Sequence, residues 1–194
     1  MRRKQSLDPD GLFKMLDCEY ALSVSQSLHQ ISRTGWVDRG VRNPETIGEH
    51  VDELLKMAEE FYPNMPGLSK MLIVHDWPKS DPAVGDRRTD SYCSPGKRLS
   101  EGEEYSLGFK AMKNICQNLD NGEVIMRLWT EFKKGTTVRS EAARQLTKLQ
   151  TILQAIKYQR DGQPVSAKKF INHDSDKVKD FRLKMVLQKA SAGL

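Results

Sequence analysis

Residues 46–55 read Thr-Ile-Gly-Glu-His-Val-Asp-Glu-Leu-Leu, and residues 71–76 read Met-Leu-Ile-Val-His-Asp. In the first stretch Thr46 and Glu49 have capping-box spacing, which opens a helix. Ile47, Val51, Leu54, Leu55, Ala58 and Phe61 then form its apolar stripe. His50 stands three residues after Ile47 and four before Leu54, so it shares their face. His75 relates to Met71 and Leu72 in the same way, at the end of a short helix that begins at Leu68. A lone histidine in such a stripe is ordinarily a hydrogen-bonded core residue. Two of them on neighbouring helices, one followed directly by Asp76, make a donor set that borderline-to-hard divalent ions accept. The other two histidines lack this context. His29 reads as a solvent-facing helix residue, and His173-Asp174 repeats the dipeptide by chance in a polar stretch without periodicity.

Working outward, the pattern is helical throughout. Asp8-Pro9 has the form of a cap and a first-turn proline. Phe13, Leu16, Tyr20, Val24, Leu28 and Ile31 predict a long first helix that stops near Thr34-Gly35. Trp36 to Asn43 reads as an ordered loop, bounded by Gly40 and Pro44. Pro63 to Gly67 ends the His50 helix, and Pro78 and Pro82 make the stretch to about Leu99 a long irregular loop. Loops of that length are often functional. Ser100 to Glu103 is a second capping box, followed by stripes at Tyr105 to Leu119, at Ile125 to Phe132 and at Ala142 to Ile156. Beyond Asp161-Gly162 the chain is polar, with a weak helical pattern at Val178, Phe181 and Met185. No alternation of strand type is sustained. The expected fold class is all-α: a single helical bundle of about six core helices over residues 1–163, with a polar C-terminal extension over 164–194.

The 194 residues are 38% hydrophobic and 29% charged, values of a soluble globular chain able to bury one core. No apolar run approaches the ~20 residues needed to cross a bilayer. The basic start has no apolar stretch behind it, so no secretory signal is expected. Cys18, Cys93 and Cys116 are widely spaced and form no CxxC pair. That argues for the cytoplasm or another reducing compartment. The net charge of +5 suits an anionic partner. Its basic residues are scattered, in pairs such as Arg87-Arg88, Lys97-Arg98 and Lys168-Lys169, rather than gathered on one dense face. Nucleic acid is therefore disfavoured and a small phosphorylated ligand preferred.

The run from Arg33 through Trp36, Arg39, Pro44-Glu45 and Glu49 to His50 resembles the opening motif of the HD-domain 5′-deoxynucleotidases. That group includes bacterial nucleoside 5′-monophosphatases and the eukaryotic HD-domain-containing protein 2 proteins. Leu72-Ile-Val-His75-Asp76 and Val84-Gly85-Asp86 resemble its second motif and its Gly-Asp. Glu103-Glu104 with Ala111-Met112, and the run from Gln145 to Ala155, resemble later helices. The similarity spans roughly Leu12 to Gln163, in order. It implies an HD bundle with one buried divalent ion (Co²⁺, Mn²⁺, Mg²⁺ or Zn²⁺) held by His50, His75 and Asp76. It also implies hydrolysis of a nucleoside 5′-monophosphate or a related phosphate ester, and commonly a homodimer.

Two positions depart from that pattern. The family's fourth ligand, an aspartate, falls on Thr147, whose hydroxyl supplies no charge. The family's glutamate three residues beyond the HD pair falls on Lys79, or on Asp81 if an insertion is allowed. In the family that glutamate and the Gly-Asp carboxylate, here Asp86, are associated with activating water. Arg33 and Trp36 match residues that grip the phosphate and discriminate the sugar. Without the resemblance Arg33 is equally a helix-end cation, Trp36 a core residue and Asp86 a turn residue. Two functions follow: an active metal-dependent phosphohydrolase, or a catalytically impaired HD scaffold that binds a nucleotide or a protein partner.

Overall fold

Capping chemistry starts the three longest helices. The Thr46 hydroxyl accepts the Glu49 N–H at 3.1 Å, and the Glu49 carboxylate accepts the Thr46 N–H at 2.7 Å. Ser100 with Glu103, and Thr137 with Ser140, make the same reciprocal pairs, each satisfying amides that a helix start leaves open. The structure, a computed structural model, describes residues 19–87 and 100–194. In chain order the described α-helices are α1 (Glu19–Ser27), α2 (Thr34–Val37), α3 (Ile47–Phe61), α4 (Leu68–Val74), α5 (Glu101–Cys116), α6 (Gly122–Lys134), α7 (Val138–Arg160), α8 (Ala167–Asp174) and α9 (Phe181–Ser191). Single 3₁₀ turns lie at Leu28–Gln30, Trp77–Ser80 and Ser175–Lys177. No strand occurs among the described residues. One isolated bridge joins Ser32 to Thr46. The expected cap at Asp8-Pro9, Cys18, Cys93, Arg88 and the Lys97-Arg98 pair lie outside the described residues.

Helix α7 is the axis of the bundle. It packs against α3, α4, α6, α8 and α9, and its Ala143, Leu146, Leu149, Ile152 and Ala155 are fully buried. Helix α4 is buried at Leu68 and at each residue from Met71 to Val74, because α3, α6 and α7 surround it. A helix enclosed in this way holds the residue that caps its C-terminus firmly, and that residue is His75. Directly after it, Trp77 is fully buried and donates to Ser25 of α1 at 3.2 Å, which anchors the turn bearing Asp76.

Two stretches differ from the sequence expectation. Trp36 and Val37, expected at the start of a loop, belong with Thr34 and Gly35 to the single-turn helix α2. Its first amide, Thr34 N–H, is satisfied at 2.6 Å by the Asp86 carboxylate, 52 residues away, a partner that local pattern does not reveal. Beyond residue 163, Val165, Ala167, Val178, Leu183 and Leu187 join the same apolar core as the rest of the chain. The face that α9 turns inward carries Leu183 and Leu187; Phe181 is 73% exposed and Met185 is exposed as well. Asp174 is buried and contacts Lys177 at 2.7 Å, His173 at 3.1 Å and Lys148 of α7 at 3.3 Å. It pins α8 to α7, so the second His-Asp pair has a structural task. Among the described residues no helix is long and apolar enough to cross a membrane.

Candidate metal centre

The capped start of α3 sets His50 one turn into that helix, and the enclosed end of α4 sets His75. Both are buried, and their rings lie 5.8 Å apart. With Asp76 they offer three donor atoms that all lie within 4.8 Å of one another. His75 Nδ1 is 2.6 Å from the Leu72 carbonyl. A carbonyl only accepts, so that nitrogen carries the proton and Nε2 keeps its lone pair. His75 Nε2 faces Asp76 Oδ2 at 3.4 Å.

Electrostatics favour this state. Burial lowers the His75 pKa, and burial together with the Arg33 charge lowers that of His50 further. Both imidazoles are therefore neutral near pH 7, the form that binds metal. Burial pushes the Asp76 carboxyl up, but His75 and the Lys79 ammonium outweigh it and hold the group well below the usual carboxylate range. A nitrogen lone pair and a carboxylate turned toward one point repel each other unless a cation lies between them. In kind and spacing this donor set fits a divalent ion.

Lys79 already supplies one positive charge here. Its Nζ lies 3.1 Å from Asp76 Oδ2 and 2.8 Å from Asp86 Oδ1. Burial lowers its pKa, but Asp76 and Asp86 more than reverse that and hold it above the ordinary lysine value. Asp86 thus joins the cluster through Lys79, while its second oxygen caps α2. Asp81 does not join it. Its carboxylate accepts the Ala83 N–H at 2.9 Å and closes a local turn. Of the two positions left open beyond Asp76, it is Lys79 that stands at the cluster.

Arg33 lies against His50, with Nη1 3.3 Å from Nδ1. The same guanidinium donates to Glu45 Oε1 at 2.5 Å and to Thr151 at 3.3 Å, and its side chain is 18% exposed. Trp36 is 2% exposed. It packs on Tyr158 and Phe170 and donates to Glu45 at 2.9 Å. The structure brings it behind the cluster rather than to an open surface. Thr147 donates back to the Arg144 carbonyl at 2.8 Å, within its own helix. Beside His75, Asp76 and Lys79 a small recess of about 40 Å³ is bordered by Glu104, Trp129 and Lys133.

Sequence reasoning did not single out Glu45 or Gln150 for the site. Both are buried polar residues. Gln150 Oε1 lies 2.6 Å from His50 Nδ1, and Gln150 Nε2 donates to Glu45 Oε2 at 2.9 Å. The available signal was an amide inside the apolar stripe of α7.

Fold and cluster together define an HD-type helical bundle with a divalent-metal donor set at its centre. An HD-domain family profile matches residues 25–185, and the chain belongs to that family. The match runs through α8 and into α9. A 5′-deoxynucleotidase HDDC2 from Danio rerio is 28% identical over 149 residues, 74% of this chain and 70% of that one. The 5′-deoxynucleotidase hdd1 of Schizosaccharomyces pombe is 27% identical over 159 residues, 77% of this chain and 73% of its own. Among solved structures, a conserved hypothetical protein from Pyrococcus furiosus has the same fold. Its TM-score is 0.67 at 23% identity, over 88% of this chain and 96% of that one.

Proposed function

We propose that this chain is a metal-dependent phosphohydrolase acting on a nucleoside 5′-monophosphate or a related small phosphate ester, in the cytoplasm or another reducing compartment. The observation that carries the reading is the convergence of His50, His75 and Asp76 within 4.8 Å. These residues would hold a divalent ion of the Co²⁺, Mn²⁺, Mg²⁺ or Zn²⁺ class. Such an ion, when bound, supplies Lewis-acid neutralisation of the phosphate. Arg33 is the phosphate clamp: its guanidinium is partly open, lies beside His50 and has the planar fork that phosphate oxygens match. Asp86 orients the attacking water, and Lys79 holds that carboxylate in place. The relatives named 5′-deoxynucleotidase support the substrate class, and a homodimer is the assembly proposed with it.

The test is phosphate release from a panel of deoxynucleoside monophosphates by the full chain with added Co²⁺, Mn²⁺ or Mg²⁺. Release above a His75→Ala control supports the reading, and none on any substrate overturns it. A second reading is favoured by one observation, the Lys79 bridge between Asp76 and Asp86, which sets a fixed cation where added charge would otherwise be needed. In that reading the chain binds a nucleotide without turning it over. Calorimetric binding of a deoxynucleoside monophosphate, independent of metal and without phosphate release, is its signature.

A further inference from the structure

The side chains behind His50 form a directed chain of hydrogen bonds. An amide can be built either way round, but that of Gln150 is fixed from both ends. Its Nε2 is 2.9 Å from Glu45 Oε2, which only accepts. Its Oε1 is 3.4 Å from Arg33 Nη1, which only donates. Glu45 is itself held by Trp36 Nε1 at 2.9 Å and by Arg33, and its own backbone N–H is satisfied by the Tyr158 hydroxyl at 2.7 Å. The oxygen of Gln150 must then face His50 Nδ1, at 2.6 Å.

A neutral imidazole carries one N–H, and an oxygen acceptor at that distance draws it to Nδ1. The lone pair is left on Nε2. Arg33 Nη1 lies 3.3 Å from the same Nδ1 and, as a donor, asks for the opposite tautomer. Gln150 is closer and prevails. We infer that Glu45 and Gln150 are positioning residues that select the Nδ1–H tautomer of His50 and turn its Nε2 lone pair toward His75 and Asp76. The consequence for metal affinity rests on the function proposed above; the tautomer itself does not.

The experiment is long-range ¹H–¹⁵N correlation of the histidine rings in metal-free, full-length protein at neutral pH, with Co²⁺ titration alongside. Wild-type His50 is expected to be protonated at Nδ1. In Gln150→Met only Arg33 remains beside that nitrogen. The proton then moves to Nε2, and Co²⁺ affinity falls roughly ten- to a hundredfold, as for other groups that orient metal ligands. Gln150→Glu keeps an oxygen acceptor and retains the wild-type pattern. Wild-type His50 protonated at Nε2, or an Nδ1 proton that survives in folded Gln150→Met, overturns the inference. Should Gln150→Met fail to fold, the wild-type spectrum decides alone. An Nδ1–H His50 in a protein that takes up no Co²⁺ upholds the tautomer and removes the metal-dependent function.

Discussion

The ammonium of Lys79 lies 3.1 Å from the carboxylate of Asp76, so the aspartate offered to a metal is already paired with a cation of the protein's own. Proton, ammonium and metal compete for one carboxylate, and which of them wins governs how tightly an ion is held. Lys79→Met removes the internal competitor. It also takes the shared cation from Asp76 and from the Asp86 oxygen that does not cap α2, which costs the metal-free protein roughly 1–3 kcal/mol. Thermal melts with and without Mn²⁺ check this: the metal-free midpoint falls, and the gain on adding Mn²⁺ exceeds that of wild type. Equal gains in both proteins would mean that Lys79 does not compete.

Thr147 stands one turn before Thr151, which touches Arg33, yet its hydroxyl serves only its own helix. Thr147→Asp places a carboxylate on this part of α7 at an intrinsic helix cost of a few tenths of a kcal/mol. Tighter Mn²⁺ binding, read by calorimetry, is the expected outcome. An unchanged titration would separate this position from the fourth ligand of the family.

Asp180 opens α9 and accepts from the Arg182 N–H, the Arg182 guanidinium and the Tyr62 hydroxyl, each at 2.8 Å. Arg182 holds its carboxyl well below the usual range, against a smaller upward push from burial. A depressed folded pKa contributes stability that is complete above the unfolded value of about 4 and drains away as pH falls below it. Urea unfolding from neutral pH downward should therefore show a shallower acid limb in Asp180→Asn than in wild type. Burial, and then Asp180, push Tyr62 up to about 12. Its contribution is full below about 10 and lost as pH rises through about 12, so Tyr62→Phe removes that alkaline loss.

Leu183 of α9 is fully buried. If the segment beyond residue 163 is integral to the folding unit, Leu183→Ala costs about 3 kcal/mol, as large-to-small core changes do. A single unfolding transition shifts as a whole. Two transitions, with only the earlier one moved, would instead make that segment a separate appendage.

Much of this was legible in local pattern. His50 lies on a capped helix and His75, followed by Asp76, closes another periodic one, where spacing of three and four residues reports a shared face. What stayed hidden were the distant contacts that support the cluster. Gln150 meets Glu45 across 105 residues, and neither has a neighbour in sequence that betrays the other. Trp36 matches a motif for sugar contact, but burial against Tyr158 and Phe170 depends on where α7 and α8 lie. The weak pattern noted at Phe181 and Met185 does not mark the inward face of α9, which carries Leu183 and Leu187, because all four residues are apolar. Only packing distinguishes the two pairs.

The carboxylate that closes the start of α2 has a further meaning. Because Asp86 satisfies the Thr34 amide, the residue directly before that amide, Arg33, takes its heading from a segment 52 positions downstream. The two sides of the centre are tied through a main-chain amide, a link that any side chain at position 34 other than proline leaves in place.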